Sequence, residues 1–258
     1  MTIFTLMRFL PVFCLLLNIP NFSLADLNEA TPRPSPIKEK ASEKQLLPAA
    51  GERVFGIDFN THSLPGAPTQ SGFRSISGLQ DGANGTSLSV TVNGIDITLS
   101  KTGTADFNFR GFNATTDSVM PGGPTSLSGV VADFIATTDG PITVTMKGLP
   151  AGDYLFRSWH LEPHTGPGLG FASGSSSTDP QWLAIEWNGK TQSTVATTCL
   201  GEEGLDRTAI SDMDIPKLEF AFSVDSGKPV EIAWSGCSSS ATTNNVFVNG
   251  FEIREKAP

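Results

Sequence analysis

The sequence predicts an all-β fold, and three observations carry that expectation: a turn-rich composition, apolar side chains two residues apart, and Asn-Gly pairs where such runs reverse. The 258 residues include 26 Gly and 18 Pro, and only 17% are charged. These proportions oppose a helical bundle or coiled coil and favour short strands joined by many turns. In residues 51–258 no amphipathic helix exceeds two turns, whereas period-two runs recur. The predicted architecture is a two-sheet antiparallel β-sandwich of the jelly-roll kind, with residues 51–258 as a single domain.

The segments ahead of that domain have a different texture. Residues 1–25 read as a signal peptide. Arg8 supplies positive charge, and the apolar run Phe9 to Leu17 is too short to span roughly 30 Å of hydrocarbon. Ser23 and Ala25 then place small residues at the −3 and −1 positions. Residues 26–50, with Thr31-Pro-Arg-Pro-Ser-Pro36 followed by mixed Lys and Glu, read as a disordered linker. The expected product is secreted, whether extracellular, periplasmic or at the cell surface, with no membrane span once the signal is removed. Lys+Arg number 17 against 26 Asp+Glu, a net charge of −9. That balance lacks the basic footprint of a nucleic-acid-binding module.

Each strand has its own justification. The clearest is Leu88-Ser-Val-Thr-Val-Asn-Gly-Ile-Asp-Ile-Thr-Leu99, where Asn93-Gly94 provides the two positive-φ residues of a type I′ turn. A two-residue loop pairs Val92 with Ile95, Val90 with Ile97 and Leu88 with Leu99, so all six apolar side chains share one face. Ile142, Val144 and Met146 alternate, and Gly148 to Gly152 turns the chain into a strand from Tyr154 to His160. Leu183, Ile185 and Trp187 alternate ahead of a second Asn-Gly turn at Asn188. Leu218, Phe220, Phe222 and Val224 are expected to pair with Val230, Ile232 and Trp234 across Asp225 to Lys228. Val246, Val248, Phe251 and Ile253 form the last strand, with a parity shift at Asn249-Gly250 that predicts a bulge.

Four stretches in this order carry a family likeness: Val54-Phe-Gly-Ile-Asp-Phe59, Leu127-Ser-Gly-Val-Val-Ala-Asp-Phe-Ile135, Gly148-Leu-Pro-Ala-Gly-Asp-Tyr154 and Val246-Phe-Val-Asn-Gly-Phe-Glu-Ile253. Together they resemble secreted bacterial jelly-roll modules of the galactose-binding-like and malectin-like type. The resemblance implies glycan binding without catalysis. It also implies a structural calcium ion, with Asp58 and Glu252 joining the first and last strands as its ligands.

Candidate site residues gather around Trp159-His-Leu-Glu-Pro-His164 and the long Gly/Ser/Pro stretch that follows. An aromatic ring stacks on the C–H face of a sugar while nearby polar groups bond its hydroxyls. This gives Trp159, His160, His164, Asp179 and Trp182 as a glycan or polysaccharide site, unless the tryptophans are core. His160, Glu162 and His164, spaced i, i+2 and i+4, fall on one side of an ideal strand. Two imidazoles and a carboxylate are also the donor set of a transition-metal enzyme, although Pro163 interrupts the ladder. The acidic stretch from Glu202 to Asp214 lacks the spacing of an EF-hand and reads as a solvated loop. Cys199 and Cys237 remain after signal removal; secretion permits a disulfide between them, the alternative being two free thiols. The leading expectation is therefore a non-catalytic carbohydrate-binding module. The alternatives are a structural or adhesive cell-surface protein without a small ligand, and a metal-dependent enzyme.

Overall fold

The computed structural model describes residues 50–60, 69–77, 85–103, 107–111, 125–138, 140–162, 182–196, 198–199, 209–236 and 245–257. The signal peptide and nearly all of the linker lie outside these residues, as do His164, Asp179 and Cys237. In chain order the strands are β1 (Ala50–Asn60), β2 (Arg74–Ser77), β3 (Ser87–Val92), β4 (Ile95–Lys101), β5 (Asn108–Gly111), β6 (Asp133–Thr137), β7 (Ile142–Lys147) and β8 (Gly152–Trp159). They continue as β9 (Leu161–Glu162), β10 (Trp182–Trp187), β11 (Lys190–Ala196), β12 (Thr198–Cys199), β13 (Lys217–Val224), β14 (Val230–Gly236), β15 (Val246–Val248) and β16 (Gly250–Lys256). Among the described residues a single 3-10 turn, Val130–Ala132, leads into β6.

The molecule is a β-sandwich. One large sheet has the order β13-β8-β16-β1-β2 and the other the order β11-β10-β14-β7-β4-β3. Two small sheets, β15-β6-β5 and β12-β9, supplement them, so the expected count of two sheets is exceeded. Pairing is antiparallel except between β1 and β2 and between β9 and β12. From β7 onward the main strands alternate between the large sheets: β7 lies in one, β8 in the other, then β10, β13, β14 and β16 in turn.

Both Asn-Gly hairpins form as the sequence predicts. Asn93 has φ 51° and Gly94 φ 80°, and Asn188 and Gly189 have φ 51° and 68°. Val92 pairs with Ile95, Val90 with Ile97 and Leu88 with Leu99. Their apolar side chains join Phe55, Ile57, Phe156, Phe220, Trp234, Phe251 and others in a core between the two large sheets. Phe156 stacks on Phe251 with ring centres 5.6 Å apart, and Trp234 contacts both rings.

Two expected pairings differ. Residues 218–224 and 230–234 do not make a hairpin: β13 pairs with β8, whereas β14 pairs with β10 and β7 in the opposite sheet. Alternation buries the same side chains whether two strands lie side by side or face each other across a core, so the pattern alone does not choose the partner. At Asn249 the chain does more than bulge. β15 pairs with β6 in the three-stranded sheet, and β16 pairs with β1 and β8 in the five-stranded one. The parity shift is the point where the last strand changes sheets.

Candidate functional site

The segment from Ser158 to Glu162 and its partners form a buried, hydrogen-bonded part of the interior. Along β8, Tyr154, Phe156 and Ser158 face the core between the large sheets, so Arg157 and Trp159 face the other way. Trp159 is 2% exposed. It packs in a second apolar cluster with Val130, Val131, Leu161, Ile210 and Ile215, and its ring lies 5.8 Å from that of Phe73. Loop segments cover this cluster. Gln70 donates to the Ser126 carbonyl at 2.8 Å and accepts from Gly129 N–H. Thr125 and Ser126 bond the Asp212 carboxylate, which those hydrogen bonds, Thr125's first, hold below the ordinary carboxyl range. Ser211 likewise caps Asp214 through its N–H and hydroxyl. These acidic groups tie a cover down while Asp212 itself stays exposed, and Glu202 to Asp206 of the expected solvated loop lie outside the described residues.

His160 is fully buried, and each ring nitrogen has a partner. Nδ1 lies 2.7 Å from the Phe247 carbonyl, which can only accept, so Nδ1 carries the proton. Nε2 is then the acceptor for the Ser158 hydroxyl at 2.9 Å, and Ser158 Oγ accepts from Trp234 Nε1 at 3.0 Å. This chain of polar groups runs from β14 in one large sheet to β8 in the other and on to β15. Burial drives the His160 pKa down to about 4, opposed in part by the bond to Phe247.

Beside it sits Asn249, fully buried. Its Oδ1 accepts from Leu161 N–H at 2.6 Å, and its Nδ2 donates to the carbonyls of Asp133 at 2.8 Å and Leu161 at 2.7 Å. Its own N–H and C=O bond Trp159 and Phe59. An asparagine side chain here does the work of a missing peptide group where β16 leaves one sheet for another. Neither Asn249 nor Ser158 stands out in the sequence as a polar anchor; the parity shift at Asn249-Gly250 was the available signal for the first.

The outer face of the five-stranded sheet carries the other charged centre. Glu252 is 1% exposed and is bonded by Arg53 Nε at 2.7 Å, Arg254 Nε at 2.8 Å and Arg157 Nη1 at 3.2 Å. Arg157 Nε also bonds Glu219. Burial alone would raise the Glu252 pKa, but hydrogen bonds from Arg254 and Arg53, with their charges, hold it below the ordinary value. Asp58 is also fully buried; its Oδ2 accepts from Gln70 N–H at 2.7 Å and its Oδ1 has no hydrogen-bond partner. Burial pushes its pKa up to about 6, the Gln70 bond opposing.

These positions revise the expected sites. Trp159 belongs to the outward side of the five-stranded sheet, whereas Trp182 starts β10 in the six-stranded sheet with Leu183 and Ile185 turned inward. Trp182 therefore points out of the opposite side of the sandwich, 39% exposed, and the two rings cannot form one sugar platform. His160 and Glu162 are both sealed from solvent. His160 has each nitrogen engaged within the protein, so the expected metal triad with His164 is not assembled from the described side chains. No group of three or more His, Cys, Asp or Glu among the described residues converges as a metal site. Glu252 does not suit a calcium ion, because three guanidinium groups already occupy its carboxylate and would repel a cation. Cys199 lies in β12, paired with Glu162 of β9. No disulfide occurs among the described residues, and Cys237 is outside them.

No family model matches the chain, and no curated protein does. Solved structures match it weakly. The ANXUR2 extracellular domain from Arabidopsis thaliana matches at 13% identity and a TM-score of 0.41, covering 80% of this chain and 49% of that one. The plant receptor-like kinase FER matches at 15% identity and a TM-score of 0.40, covering 77% and 41%. A structure of the plant peptide RALF23 in complex with FER and LLG2 matches at 12% identity and a TM-score of 0.38, covering 79% and 40%. The chain thus spans less than half the length of these proteins. The expected kinship with secreted bacterial sugar-binding modules is corrected: the matches are a plant receptor-like kinase, its complex with a plant peptide, and an extracellular domain from Arabidopsis thaliana. The carbohydrate-binding expectation and its glycan partner are withdrawn on the chain's own geometry, since Trp159 and His160 are buried and Trp182 lies on the opposite sheet. At these identities and TM-scores the likeness carries no argument, and fold and function rest on the chain's own residues.

Proposed function

We infer that this chain is a structural or adhesive protein of the cell surface that works through the faces of its sandwich and takes no small ligand. The sandwich is taken to be a jelly roll, a reading favoured by the alternation of successive strands between the large sheets. One observation carries the functional reading. The aromatic, imidazole and carboxylate groups most suited to a ligand, Trp159, His160 and Glu162, are sealed inside the protein, 0–2% exposed. Trp159 holds the outer cluster together, and His160 links β15 to the bridge between the large sheets. Residues spent on internal cohesion are unavailable to a soluble ligand.

The reading is tested by melting the protein against a panel of soluble sugars, nucleotides, amino acids and divalent cations. No saturable rise in Tm is expected, and one from any member of the panel would overturn the proposal. Beads coated with the protein should adhere to one another or to a cell envelope, and failure of both would count against it. The two tryptophans should separate in the same melts. Trp159→Ala should cost about 3–5 kcal/mol, as for other buried large-to-small changes. Trp182→Ala should cost about 1 kcal/mol, because its side chain is far less buried.

A further inference from the structure

A cationic island sits on this acidic molecule. Residues 51–258 hold 12 basic and 22 acidic residues, yet the outer face of the five-stranded sheet brings Arg53, Arg157, Lys217 and Arg254 around Glu219 and Glu252, with the Asp212 carboxylate also acting on Lys217. Four basic groups against these three carboxylates leave an excess of one positive charge where the rest of the domain is negative. The arginine side chains are 25–29% exposed and the lysine 49%. Their arrangement is also unlike that of solvated surface arginines, because each is held from beneath. Glu252 fixes Nε of Arg53 and Arg254 and Nη1 of Arg157. The Phe73 ring lies 4.5 Å from the Arg53 guanidinium carbon. Side-chain entropy normally lost when an arginine grips a ligand is here already spent in the fold, which favours binding.

We propose that this island is a docking site for a short acidic peptide segment of a partner protein. The proposal rests on the adhesive reading above and names the chemistry of its contact. Charge complementarity selects the occupant, and the molecule's overall charge limits its size. The net charge of −9 repels an extended polyanion such as a nucleic acid or an anionic membrane. Screening over about 10 Å lets a local segment feel the island alone. The basic groups lie along β1, β16, β8 and β13, three strand spacings or about 14 Å, which matches about four residues of extended chain. Carboxylates of such a segment would accept from the guanidinium N–H groups that Glu252 and Glu219 leave facing outward.

The test is fluorescence anisotropy of labelled hexaglutamate with the full-length secreted protein. Binding is expected at about 20 mM NaCl, with at least about tenfold loss by about 150 mM. Lys217→Glu should weaken it at least about threefold, since a half-exposed residue reverses sign beside the guanidinium groups. Lys190→Glu, an exposed change of equal net charge on β11 of the other sheet, should leave it unchanged. Neither substitution touches the core, and circular dichroism verifies folding of both. No binding at low salt, equal binding of hexalysine, equal effects of the two substitutions, or capture of a sulfated oligosaccharide in place of the peptide would each overturn the proposal. None of these outcomes bears on the bead or melting tests, so the two readings fail separately.

Discussion

Asn249 shows how much one side chain can carry. Its amide bonds a buried N–H and two buried carbonyls at the junction of three sheets. Asn249→Ala should therefore cost about 3–5 kcal/mol, the sum of several desolvated groups left unpaired, read from urea unfolding. Loss under 1 kcal/mol would mean that the junction repairs itself. Two other residues make stability depend on pH, with opposite signs. His160 falls from 6.5 to about 4 on burial. Between those values the unfolded chain binds a proton that the folded chain refuses, so stability drops as the pH falls. Asp58 rises from 3.8 to about 6. In that window the folded chain keeps a proton that the unfolded chain has lost, so stability grows as the pH falls. Each shift corresponds to about 3 kcal/mol, and between pH 4 and 6 they nearly cancel. Asp58→Asn should uncover the histidine, giving a variant whose stability relative to the native protein falls steadily from pH 6 to pH 4. Parallel unfolding midpoints across that range would refute the assignment.

Among elements, β1 shows why a glycine can matter without an unusual backbone angle. A Cβ at Gly56 would lie 2.6–2.8 Å from three atoms of the Phe73 ring. The bare backbone lets that ring lie against β1, where it supports Arg53 on one side and contacts Trp159 on the other. Gly56→Ala should displace the ring and cost about 1–3 kcal/mol, the range for overpacking a filled site. Weaker quenching or a shifted emission maximum of Trp159 would accompany it, and unchanged fluorescence and stability together would show that Phe73 moves freely. The hairpins obey a more local rule. Asn93-Gly94 and Asn188-Gly189 set their registers through backbone twist, and nothing crowds either glycine.

Across the whole molecule, cohesion comes from an aromatic core plus two polar devices on either side of the five-stranded sheet. Inside, Trp234, Ser158 and His160 join the sheets through hydrogen bonds. Outside, Glu252 gathers arginines from β1, β8 and β16 and so ties β1 and β8 to the last strand at the centre of the sheet. Glu252→Gln should leave three guanidinium groups around a neutral amide and cost about 2–3 kcal/mol. That lies below the range for fully buried pairs, because the arginines keep part of their water. Glu219→Gln, at the sheet edge and more exposed, should cost less than half as much; equal losses in guanidinium unfolding would remove Glu252 from its central place.

What the sequence by itself determined is local. Alternation marked Leu88 to Leu99 as a hairpin, Asn93-Gly94 placed its turn, and composition excluded a helical fold, because each of these depends on neighbours a few residues apart. Tertiary structure decided which strands became partners, as for β13 and β14, since side chains alternate identically within a sheet and across a core. It also decided the fate of Trp159, His160 and Glu162. Nothing in Trp159-His-Leu-Glu-Pro-His164 reveals that Val130 and Ile215 will cover the indole, or that the Phe247 carbonyl and Ser158 hydroxyl will take both imidazole nitrogens. Those partners lie far away along the chain, and burial is a property of the folded assembly of strands.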